Sequence, residues 1–126
     1  MYHVDVVNSG DSIFEVKSKD GEFVVDTKGK GITPPDALLA SIGSCMGVYI
    51  RKYCEGARIP IPGFTVTAEA DFAKEPPFRF KDIKVSIDLK GATIDERRKA
   101  ALLEFIKNCP VHNTLKNAPD FIIKIS

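Results

Sequence analysis

The run ALLASIGSCMGVYI, residues 37–50, carries no charged side chain, and its only hydroxyls belong to Ser41, Ser44 and Tyr49. A helix this apolar on all sides must be covered on all sides. The preceding KGKGITPPD supplies a helix start: Thr33 as N-cap, Pro34 at the first helical position and Asp36 closing a capping box. Gly56 supplies a stop, so one helix from Pro34 to about Glu55 lies at the centre of the fold. The apolar run is shorter than the roughly 20 residues a membrane span needs. A chain of 126 residues has little material with which to wrap such a helix. A second subunit is the expected cover, which predicts a homodimer with the two central helices buried together.

The flanking sequence reads as strands and shorter helices. YHVDVV (2–7), SIFEVKS (12–18) and EFVVDTK (22–28) alternate, with Asn8-Ser9-Gly10-Asp11 and Asp20-Gly21 as turns. After the central helix, FTVTAEADFA (64–73) and IKVSIDLK (83–90) alternate again, joined through KEPPFRFKD. TIDERRKAALLEFIKN has helical periodicity, with Ala101, Leu102, Phe105 and Ile106 on one face. A short helix follows the Cys109-Pro110 junction to about Asn117, and DFIIKI ends the chain as a strand. The order β-β-β-α-β-β-α-α-β predicts a single α+β domain over residues 1–126, with mostly antiparallel pairing.

Two faces of the central helix differ. Ala40, Gly43 and Gly47 form a small-residue stripe that admits close approach of another backbone. Cys45 is two residues from each glycine, about 200° round the helix, and faces Ser41, Ile42, Val48 and Tyr49 instead. Cys54, nine residues on, points about 180° away and sits among Arg51, Lys52 and Glu55, near an exposed end. It reads as incidental.

Charge and cysteine usage narrow the chemistry. The net charge is +1 with both signs mixed along the chain, so neither a nucleic-acid surface nor a polybasic membrane patch is indicated. Met1–Val7 does not read as a signal peptide. Three cysteines cannot all pair within one chain, which argues against a secreted disulfide scaffold and for a reducing cytoplasm. Cys45 alone is compatible with a small buried hydrophobe, and Cys109 alone with a helix break that happened to use Cys. Cys109 also stands at the N-cap of the short helix, where free N–H groups and the helix dipole favour a thiolate. A buried thiol and a helix-start thiol far apart in sequence suit a pair that oxidises through a sulfenic acid to a disulfide. Zinc on Cys45, Cys109 and His112 is the competing arrangement, but structural zinc wants four ligands in paired short spacings. No metal or other cofactor is expected.

PPDALLASIGSCMGVYI resembles the first-cysteine segment of the OsmC/Ohr proteins, and NCPVHNTL resembles their second-cysteine segment, where Cys-Pro opens a short helix. The order of elements is similar across nearly the whole chain. The resemblance implies an intertwined α+β homodimer with two sites at the subunit interface. It also implies thiol-dependent reduction of organic hydroperoxides, with Cys45 attacking, Cys109 resolving and an external thiol or dithiol restoring both. The family's peroxidases hold the first thiolate with an N-terminal arginine paired to the acidic residue at the helix start. Asp36 occupies that acidic position, but no arginine precedes Arg51. Arg79, flanked by Phe78 and Phe80, is the expected substitute. A small-molecule binding protein or a redox sensor with little turnover is the alternative to a peroxidase.

Overall fold

The computed structural model describes all 126 residues. In chain order its elements are β1 (Asp5–Asn8), β2 (Ile13–Lys17), β3 (Glu22–Asp26), α1 (Pro34–Gly56), β4 (Thr65–Phe72), β5 (Phe80–Asp88), α2 (Glu96–Ile106) and α3 (Pro110–Lys116). The fold is α+β with antiparallel sheets, as expected. The chain divides into two units, Met1–Ala40 and Ser41–Ser126.

In the first unit, β1, β2 and β3 form an antiparallel meander with Val6 opposite Val16 and Phe14 opposite Val25. The β1–β2 turn is built by side chains: Asn8 Oδ1 accepts from the Gly10 N–H at 3.1 Å, and Asp11 Oδ1 accepts from the Ile13 N–H at 2.9 Å. Gly10 takes φ +113°, a backbone that side chains disfavour. At the end of β3 the Asp26 carboxylate, only 1% exposed, accepts from the Lys28 N–H at 3.1 Å and the Lys30 N–H at 2.9 Å. This folds the lysine-rich loop back on the strand, so that Ile32 bridges Val25 in parallel. Gly31 is required there, because a Cβ would stand 2.8 Å from the Val24 carbonyl oxygen. The loop delivers Thr33 to the helix start. Its hydroxyl donates to Asp36 Oδ2 at 2.8 Å and accepts from the Asp36 N–H at 3.3 Å, which is the expected capping box.

In the second unit, Ile42, Met46, Ile50 and Cys54 recur every fourth residue of α1, and all are buried. Ile50 and Cys54 join Ile59, Ile61, Ile94, Leu102 and Ile106 in the core. Full burial of one such aliphatic side chain contributes about 1.5–3 kcal/mol. The glycine stripe of α1 meets side chains rather than a backbone. A Cβ on Gly43 would lie 3.6 Å from Val66, and one on Gly47 would lie 3.5 Å from the Phe64 ring. After α1 the chain reverses at Arg58, whose φ of 55° is left-handed, and the Ile59 N–H reaches back to the Cys54 carbonyl at 2.8 Å. That reversal lays Ile59 and Ile61 over Cys54. Hence Cys54 is 1% exposed, where the neighbouring charges had indicated an exposed end.

Within the single chain α1 is left open along Ser44, Val48 and Lys52, with Val48 51% exposed. One further expectation differs. DFIIKI does not form a strand, and Phe121 to Ile123 and Ile125 lie at least 83% exposed. A strand exists only where another edge accepts its N–H and C=O groups, and within one chain this segment has no such ladder.

Candidate active site

Cys45 lies in the middle of α1 and is partly buried. Cys109 is the N-cap of α3 and is fully buried. Pro110 starts α3 because the first helical position needs no N–H donor. The Cys109 sulfur accepts from the His112 N–H at 3.5 Å, so a thiol performs the work usually given to Ser, Thr or Asp at a helix start. α2 ends just before this cap, and the Cys109 N–H donates to the Ile106 carbonyl at 3.1 Å. Phe105, in the last turn of α2, packs against Tyr49 and Tyr53 of α1 at centroid distances of 5.8 and 5.6 Å. These contacts hold the α2–α3 junction against the Cys45 region of α1. The two free thiols come close there, near enough that the Cys109 side chain and the Val111 backbone N–H both act on the Cys45 thiol.

Electrostatics at Cys45 pull in both directions. Burial pushes its thiol above the ordinary value, and the Cys109 side chain adds to that shift by hydrogen bond and by charge. The Val111 N–H and the Lys52 ammonium oppose it by favouring the thiolate. Cys54 is also raised by burial, with Arg51 as its only opposing charge.

The other residues singled out in the sequence are occupied elsewhere. The Arg79 guanidinium donates to the Pro77 carbonyl at 2.9 Å from an exposed position and is not among the groups acting on Cys45. Its neighbours Phe78 and Phe80 do form an aromatic cluster, on Phe72, at 5.4 and 4.8 Å. Asp36 is engaged in the capping box with Thr33. His112 Nδ1 is buried without a hydrogen-bond partner. No group of three or more His, Cys, Asp or Glu side chains is arranged to hold a metal. Lys52 is the residue that sequence reasoning missed. Its signal was the seven-residue spacing from Cys45, two helical turns on one face.

The fold is thus α+β, with a partly buried thiol on one helix approached by the thiol that caps another. The OsmC-like protein family model matches residues 27–124, and the chain belongs to that family. A protein of Mycoplasma genitalium named hydroperoxide reductase is 26% identical over 99% of this chain and 94% of its own length. The solved OsmC-like protein of Mycoplasma pneumoniae matches with a TM-score of 0.79 at 21% identity, covering 94% of this chain and 89% of that one. The organic hydroperoxide resistance protein of Bacillus subtilis matches at 0.67 and 16% identity, over 94% of each chain. The structural matches share the fold.

Proposed function

We propose that this protein reduces organic hydroperoxides to alcohols with its own two thiols. The observation that carries the reading is the approach of two free thiols, Cys45 on α1 and Cys109 at the cap of α3, close enough for one to act on the other. The Cys45 thiolate attacks the distal peroxide oxygen; an S–O bond forms, the O–O bond breaks, and the alkoxide takes a proton and leaves as alcohol. The Cys109 thiol then attacks the sulfenic acid, an S–S bond forms and water leaves. An external dithiol reduces the disulfide by exchange and is itself oxidised. The aromatic contact of Tyr49, one turn from Cys45, with Phe105 supports a preference for organic over inorganic peroxide.

A homodimer is part of this reading. Both strands of the β4–β5 sheet are edges. The exposed Phe121, Ile122, Ile123 and Ile125 form an apolar surface of the kind a second copy covers. A reducing cytoplasm would keep the thiols ready. No helix is long and apolar enough to cross a membrane.

The test is consumption of cumene hydroperoxide by reduced protein with an excess of dithiol. Many turnovers per chain are expected. A single oxidation without turnover would instead favour a redox sensor, a reading supported by the upward push of burial on Cys45. No thiol loss at all would leave a binding protein.

A further inference from the structure

We propose that Lys52 is the cation of the dithiol site, a positioning residue whose ammonium favours Cys45 as the thiolate. The inference deepens the peroxidase reading and rests on Cys45 being the reactive thiol. Lys52 follows Cys45 by seven residues, which at about 100° per residue leaves an offset of only about 20°. Tyr49 lies between them on the same face. Long helical side chains lean toward the N-terminus, and here the Lys52 Nζ lies 4.9 Å from the centroid of the Tyr49 ring. The stem therefore runs back along α1 toward the turn that holds Cys45.

Arg51 and Arg79 are occupied elsewhere. Arg51 donates to the Ile61 carbonyl at 2.8 Å and lies over Phe64, and Arg79 is held by Pro77. The polar and titratable groups around the thiols include Ser41, Tyr49 and Lys52 on α1, and Cys109, the Val111 N–H and His112 on α3. The α2 side chain packed on Tyr49 is Phe105, which carries no charge. Among these groups the ammonium of Lys52 is the one cation whose charge lowers the Cys45 thiol, opposing the burial that raises it.

The charge enlarges the thiolate fraction that attacks the peroxide.

The experiment follows carbamidomethylation of Cys45 in the full-length reduced protein against pH, read by peptide mass spectrometry. Lys52→Met should slow it at neutral pH by about two- to fivefold, the size of one partly screened charge, and move its inflection to higher pH. Lys52→Arg should restore the wild-type profile. Because Lys52 is exposed, the gap between wild type and Lys52→Met should close between about 0.05 M and about 1 M salt. An unchanged profile in Lys52→Met overturns the inference, as does a shift that Lys52→Arg reproduces or one indifferent to salt. The measurement needs no peroxide. A Lys52-dependent profile in a protein without peroxide turnover would sustain the inference and overturn the peroxidase reading.

Discussion

Cys45 and Cys54 are the same residue type on one helix, and burial raises both thiols. Cys54 is sealed among aliphatic side chains, with Ile59 and Ile61 folded over it. Cys45 is only partly covered and has a second thiol, a backbone N–H and an ammonium acting on it. Burial alone makes a cysteine inert; burial with polar partners and an opening makes it chemical. Asp26 shows the same rule with the opposite outcome. Burial again pushes its carboxyl up, but the Lys30 N–H, the Ser12 hydroxyl, the Lys28 N–H and the Lys30 charge together hold it below the ordinary value.

The contrast breaks most easily at the thiols. Cys45→Ser should lower peroxide turnover by at least about a thousandfold, as loss of a nucleophile does, whereas Cys54→Ala should leave turnover near wild type in the same cumene hydroperoxide assay. Equal losses in the two variants would erase the distinction between them. Cys109→Ser should stop after one event per site and leave Cys45 as a sulfenic acid that dimedone captures. A dimedone adduct on Cys54 instead would reverse the assignment.

Stability separates them in the other direction. Cys54→Ala leaves a small cavity and should cost about 1 kcal/mol, lowering Tm by about 3–5 °C. Cys54 has a folded pKa above its unfolded one, so its neutral thiol contributes fully below the unfolded value. That contribution fades as pH rises above about 8.5. Urea titrations at pH 7 and pH 10 should therefore show the gap between wild type and Cys54→Ala narrowing at the higher pH. The smallest effect concerns Asp26. Its depressed folded pKa gives stability that is present above the unfolded value and is lost as pH falls below about 4. Asp26→Asn should be less stable than wild type at pH 7, and the difference should shrink toward pH 3 in the same titrations.

Much of this was readable from residue order. Thr33, Pro34 and Asp36 specified the start of α1 through a local capping box, and Cys109-Pro110 specified the start of α3, because caps act over three or four residues. Lys52 was readable too, by its helical spacing from Cys45. Cys54 was misjudged because the residues that bury it, Ile59 and Ile61, lie beyond a chain reversal at Arg58, a position where nothing in the residue type signals a left-handed backbone. DFIIKI carries strand propensity, yet propensity cannot supply the neighbouring edge that a strand requires.

The amino-acid order by itself determined the apolar central helix, the α+β succession of elements and the two cysteines worth pairing. All of these follow from short-range periodicity and cap chemistry. Only the tertiary structure decided that the thiol at 45 meets the thiol at 109 while the thiol at 54 is closed off. That outcome depends on how Phe105 packs against Tyr49 and Tyr53 and on where the chain doubles back after α1. Contacts between residues far apart in sequence are set by packing, and no local pattern encodes them.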